Sequence, residues 1–121
     1  QNPMSDITLY HNPRCSKSRA ALALLEESDI TPRVVLYLDQ PPDRGELEEL
    51  QRKLGLGIRD ILRRGEAEYK QYQLDDSSLS EDIVFEIVAK NPRLVERPII
   101  VRGERAVIGR PPKRVVELLE D

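Results

Sequence analysis

With one cysteine and one histidine among 121 residues, the chain can form neither an internal disulfide nor a Cys/His metal cluster, so no metal is expected. No apolar run approaches the roughly 18 residues of a membrane span, and no charged-then-apolar leader opens the chain. A soluble, cytoplasmic protein with no membrane partner is expected. A chain of this length fits one domain that buries roughly two-thirds of its unfolded surface, enough for a core without staples. Gln1-Asn2-Pro3 precede Met4 and read as foreign to the native start. Residues 1–3 are therefore set aside, and residues 4–121 are expected to form a single domain with a helical insert over residues 43–91.

A third scarcity is local: from Ile7 to Leu25 there is no carboxylate, while Arg14, Lys17 and Arg19 supply three positive charges. The lone cysteine lies in that stretch, in His11-Asn12-Pro13-Arg14-Cys15-Ser16-Lys17-Ser18-Arg19. Ile7-Thr8-Leu9-Tyr10 before it has strand character, and Ala20 to Glu27 after it is built from strong helix formers. Pro13 bars ladder pairing and biases Asn12 away from helix, which places Cys15 in the turn or the first helical turn. Free backbone N–H groups point outward there. A cysteine at the positive end of a helix and among cations is favoured as thiolate, the reactive form. A buried structural cysteine would have apolar neighbours, whereas this one has Arg14, Ser16 and Lys17.

The net charge of −3 hides two basic islands: residues 7–25 carry +3 and residues 97–115 carry +5, which leaves −11 for the remainder. Two islands in an acidic chain suit a small anion and not nucleic acid, which needs a broad basic face.

Strands and helices alternate along the chain. Arg33 to Leu38 reads as a second strand, apolar enough to be buried on both faces and joined to the first by a right-handed parallel crossover. Asp43 caps a helix whose Leu47, Leu50 and Leu54 form one stripe ending at Gly55. Ile58 to Gly65 predicts a helix of about two turns with Ile58, Ile61 and Leu62 inward. Glu66 to Asp76 admits either a short helix or irregular cover. Ser80 opens a helix with Ile83, Val84, Ile87 and Val88 on its inner face, and Asn91-Pro92 ends it. Pro98 to Arg102 and Arg105 to Ile108 flank Gly103-Glu104, a two-residue type II' hairpin loop. Arg110-Pro111-Pro112 opens a last helix with Val115, Val116, Leu118 and Leu119 buried. The order β-α-β, helical insert, β-β-α implies an α/β fold with one four-stranded mixed sheet flanked by helices, the thioredoxin-like architecture.

Five separated segments carry a more specific signal: His-Asn-Pro-x-Cys-x-x-Ser-Arg at 11–19, Tyr-Leu-x-x-Pro-Pro at 37–42, Ile-Arg-x-Ile-Leu-Arg at 58–63, Arg-Pro-Ile-Ile-Val at 97–101 and Gly-Arg-Pro at 109–111. In this order, over residues 5–119, they resemble the ArsC family of glutaredoxin-coupled arsenate reductases. The resemblance implies that Cys15 is the nucleophile, and that Arg63, Arg97 and Arg110 converge on it to bind and polarise the arsenic oxyanion. His11, Ser18 and Arg19 are implied as further substrate-binding residues, His11 as a positively biased ring near the thiolate and Ser18 as a hydroxyl donor to it. It also implies a cis bond at Arg97-Pro98, no tightly bound cofactor, glutathione as co-substrate and glutaredoxin as partner; separately, a monomer is expected. Chemistry agrees: arsenate is a dianion near neutral pH, so a thiolate can attack it only where cations offset the like charge, and guanidinium is planar, multidentate and always charged. The alternatives are a non-enzymatic thioredoxin-fold regulator and a glutathione-dependent thiol reductase with another substrate. A Cys-x-x-Cys switch, as in regulators of this fold, is excluded by Ser18.

Overall fold

A computed structural model describes residues 6–120, so the foreign-leader reading of residues 1–3 and the Met4 start lie outside the described residues. The chain separates into two compact units, one made of the stretches up to Gln40 and from Arg97 onward, the other of Pro41–Glu96.

The first unit is built on a sheet of β1 (Ile7–His11), β2 (Arg33–Leu36), β3 (Ile99–Arg102) and β4 (Arg105–Ile108) in the order β2-β1-β3-β4. β1 runs parallel to β2 with His11 opposite Leu36, and β3 pairs antiparallel with both β1 and β4. This is the expected thioredoxin-like mixed sheet. Helix α1 (Ser16–Glu27) makes the crossover. It ends where Asp29 takes a left-handed φ of 60° and Ile30 N–H returns to the Leu25 carbonyl, a small polar residue being the kind that tolerates that conformation. Ile7 and Leu9 from one face of β1 pack with Ala21, Leu25, Ile30, Ile100, Val115 and Leu118 in a buried cluster. Truncating a residue such as Leu25 to Ala there costs about 2–5 kcal/mol. Arg102 and Arg105 meet across the two-residue loop, and Gly103 has φ 61° while Glu104 does not go positive, the signature of the type II' turn. A 3-10 helix over Pro112–Val115 and the short α5 (Val116–Leu119) close the unit.

In the second unit, α2 (Arg44–Leu54) starts with the Asp43 carboxylate accepting from Glu46 N–H at 2.9 Å and stops at Gly55, φ 71°. Helix α3 spans Ala67–Gln71, the short-helix outcome for a segment that admitted either. Helix α4 (Glu81–Lys90) starts with Ser80 Oγ accepting from Ile83 N–H. No helix among the described residues is long and apolar enough to cross a membrane.

Four expectations are corrected. β2 is not buried on both faces: Val34 and Leu36 are exposed, because β2 is an edge of the sheet. Ile58 to Gly65 is not a two-turn helix but a 3-10 turn over Ile58–Ile61. Leu62 then goes extended and bridges to Val95, since Arg63 N–H bonds to the Leu94 carbonyl and Glu96 N–H to the Ile61 carbonyl. The inner stripe of α4 is rotated, with Phe85 buried and Ile83 exposed. In the last helix Val115 and Leu118 are buried, whereas Val116 is exposed and Leu119 half-buried, because the chain passes from 3-10 to α geometry between them and shifts the buried face.

Candidate active site

Cys15 occupies the N-cap of α1, with extended backbone angles (φ −97°, ψ 124°), and its side chain makes no capping hydrogen bond; against the expectation from its polar sequence neighbours it is buried, because the fold and not the adjacent residues covers it. The turn that delivers it is tied at three points. Cys15 N–H donates to the Asn12 carbonyl at 3.0 Å, Arg14 N–H to Asn12 Oδ1 at 3.0 Å, and Arg19 Nη1 to the Pro13 carbonyl at 2.8 Å. The first turn of α1 contains no acidic residue. The sulfur therefore stands at the positive end of a three-turn helix, where a residue such as Asp would otherwise place its carboxylate.

Behind the turn lies a buried polar pair. Ser18, fully buried, accepts from Asn12 N–H at 3.0 Å, and its Oγ is 2.7 Å from His11 Nδ1. Burial, and secondly the nearby positive charge of Arg19, push His11 below its ordinary 6.5. Both effects favour the neutral ring, whose Nδ1 shares a hydrogen bond with the Ser18 hydroxyl. The ring is consequently not the positively biased group expected from sequence. The Ser18 hydroxyl turns to His11, not to the thiol, so this pair shapes the turn from behind.

The second basic island supplies the guanidinium. Arg110 follows β4 and extends Nη1 to 3.9 Å from Cys15 Sγ and to 3.2 Å from the Arg97 carbonyl. Both Arg97-Pro98 and Arg110-Pro111 are cis, the first as the resemblance implies. Gly109 sets the approach: its N–H donates to the Pro98 carbonyl at 2.9 Å. A Cβ there would stand 3.0 Å from Pro98 Cγ and 3.1 Å from Ile100 Cδ1. Arg97, half-buried, enters β3 beside this junction. Cys15, His11, Ser18, Arg19, Arg97 and Arg110 all belong to the first unit. Arg63 belongs to the second, where its guanidinium pairs with Glu66 and lies 3.5 Å from Glu96 Oε1.

Asn12 was not singled out from the sequence, although its side chain and both of its main-chain polar groups organise the turn. The available signal was Asn before Pro, a turn-initiating pair. Gly109 was quoted only as part of a motif; its steric reason needs the three-dimensional contact. Among the described residues no cluster of three or more His, Cys, Asp or Glu side chains is placed to hold a metal ion.

Comparison with known proteins fits this geometry. The ArsC family model matches residues 10–118. The chain is 45% identical over 117 residues to the arsenate reductase of Neisseria meningitidis serogroup A, covering 96% of this chain and 100% of that one. It is 42% identical over 114 residues to the arsenate reductase of Haemophilus influenzae, covering 93% and 98%. Among solved structures, the arsenate reductase from Vibrio cholerae matches with a TM-score of 0.89 at 47% identity, over 92% of this chain and 95% of that one.

Proposed function

This chain belongs to the ArsC family, and from that premise we propose that it reduces arsenate to arsenite through the Cys15 thiolate, with glutathione and glutaredoxin supplying the electrons. The observation that carries the reading is the pairing of two groups 95 residues apart: the Arg110 guanidinium, Nη1 3.9 Å from Cys15 Sγ, at the start of α1. A thiolate and a fixed multidentate cation side by side suit attack on a tetrahedral oxyanion, because the cation holds the anion and offsets charge developing on the departing oxygen.

In the proposed sequence, Cys15 Sγ bonds to arsenic and one arsenate oxygen leaves, protonated, as water; arsenic stays at +5. The glutathione thiol displaces a second oxygen as water. A glutaredoxin thiolate then takes the glutathione sulfur as a mixed disulfide, and the electron pair of the broken sulfur–arsenic bond remains on arsenic, now +3. Water cleaves the last sulfur–arsenic bond, releasing arsenite and returning Cys15 as a thiol. Arg97 and Arg110 are assigned to the oxyanion, and the His11–Ser18 pair to the shape of the turn. Such coupling needs a reducing compartment, so the cytoplasm is proposed as its place of work.

The test is a coupled assay with arsenate, glutathione, glutaredoxin, glutathione reductase and NADPH. Wild-type protein is expected to consume NADPH in an arsenate-dependent manner, and Cys15→Ser to lose more than about a thousandfold of that rate, as loss of a nucleophile does. Equal rates for the two proteins would end the proposal.

A further inference from the structure

The proposed chemistry needs a thiol co-substrate beside Cys15, and the first unit contains a cleft that no step above uses. It opens at the carboxyl ends of the parallel pair β1 and β2, where His11 and Leu36 are in register. Its lining is His11, Asn12, Pro13 and Arg14 on one side and Leu36, Leu38 and Asp39 on the other. In α/β sheets the crevice outside the carboxyl ends of parallel strands is the usual ligand position. The volume is about 340 Å³, at the lower end of the roughly 300–1,000 Å³ of small-molecule clefts.

Its chemistry is specific. Leu36 and Leu38 are exposed leucines at 37% and 38%. Arg14 and Asp39, one cation and one anion, also line the cleft, and among the described residues neither side chain has a hydrogen bond or ion pair. An arginine matches a carboxylate in bidentate fashion, and an aspartate matches an ammonium group. One ligand satisfying both, with a short apolar middle, is a small zwitterionic peptide. The turn Asn12-Pro13-Arg14 that walls the cleft leads directly into Cys15, so a peptide held there lies against the segment that carries the nucleophile.

We infer that this cleft is the docking site of the reductant, a zwitterionic thiol tripeptide, glutathione. A terminal carboxylate is held by Arg14, the ammonium by Asp39, and the cysteinyl portion lies against Leu36 and Leu38. The inference rests on the functional reading above, and its test can fail separately from it.

The test is an amide NMR titration of the reduced full chain with S-methylglutathione, which has the recognition groups and cannot form a disulfide. Shifts are expected at Arg14, Leu36, Leu38 and Asp39, and Arg14→Glu is expected to weaken binding roughly three- to fivefold or more, the scale of an exposed charge pair. The glycine monoethyl ester should bind wild type more weakly, while Arg14→Ala should bind the ester and S-methylglutathione alike. Absence of shifts at the cleft overturns the site, as do shifts there that appear only with glutaredoxin, which would assign the cleft to a protein partner. Cleft shifts in a protein without arsenate turnover would leave the site standing and remove the arsenate reading; turnover without cleft shifts would do the reverse.

Discussion

The two units weight their arginine contacts differently. In the second, four guanidinium groups meet carboxylates, Arg44 with Glu48 and Asp82, Arg52 with Glu49, Arg63 with Glu66 and Glu96, and Arg93 with Glu68, while Arg59 meets the carbonyls of Leu74, Asp76 and Leu79. In the first, several meet main-chain carbonyls, Arg19 at Pro13, Arg110 at Arg97, and Arg105 at Leu118 and Glu120, while Arg114 meets the Glu117 carboxylate. A carboxylate neutralises the guanidinium it binds. A carbonyl orients it and carries no net charge of its own. The first arrangement ties segments together, as where Arg44 links the start of α2 to α4 and also lies 5.1 Å over the Phe85 ring. The second aims positive charge at an anion, and in this molecule it aims one guanidinium at the only thiol.

That contrast can be broken most directly at Arg110. Arg110→Ala is expected to lower kcat/KM for arsenate by roughly 10²–10³-fold, the scale of losing a preorganised charge-stabilising donor, with far-UV circular dichroism unchanged. Arg110→Lys should recover only part, since it restores charge without the planar fork. A wild-type rate for Arg110→Ala would show that the carbonyl-held guanidinium is ordinary scaffolding.

A steric change reaches the same residue indirectly. Gly109→Ala places a Cβ against Pro98 and Ile100, so urea unfolding should show a loss of about 1–3 kcal/mol, typical of overpacking, with a fall in turnover as Arg110 shifts. Unchanged stability would mean that the approach is looser than the contacts imply.

The buried histidine behind the turn also predicts a pH effect. In the fold, burial and then Arg19 hold His11 below 6.5, whereas the unfolded chain takes up its proton near 6.5. The unfolded state therefore binds more protons in that window, and stability falls as pH drops through 6.5 toward the lower folded value and is fully present above it. Melting curves between about pH 7.5 and pH 5.5, where histidine is the principal titrating side chain, should show this slope. Because the chain has one histidine, His11→Gln should flatten it, and Arg19→Ala should reduce it. A slope that survives His11→Gln would assign it elsewhere.

The smallest effect is expected from the opposite kind of pair. Arg52 and Glu49 are more than half exposed and three residues apart on α2, so Arg52→Ala should leave turnover and melting temperature unchanged within error. A loss of turnover there would erase the distinction between the two units.

Much of this was legible because it is local. The Asp43 and Ser80 caps, the Gly55 stop, the Gly103-Glu104 turn and the place of Cys15 at the strand-to-helix joint depend on residues within a few positions of one another, and backbone sterics and capping act at that range. The cis bond at Arg97-Pro98 followed from resemblance. Burial faces were less legible: β2 reads as a core strand because its residues are apolar, yet being an edge is a property of the sheet and not of β2. Likewise Ile83 and Phe85 differ by two positions, and only the surface packed against α4 chooses between them.

By itself, then, the sequence determined the elements, the joint that presents the single thiol, and the absence of local carboxylates around it, because each is a matter of residue type and near neighbours. Tertiary structure decided which arginines meet carbonyls and which meet carboxylates. It decided that a side chain at position 109 would crowd Pro98 and Ile100, that His11 is buried and held below its ordinary pKa, and that Arg14 and Asp39 share one cleft. These depend on distances between residues far apart in the chain, and a guanidinium pairs with whichever acceptor the fold brings within about 3 Å.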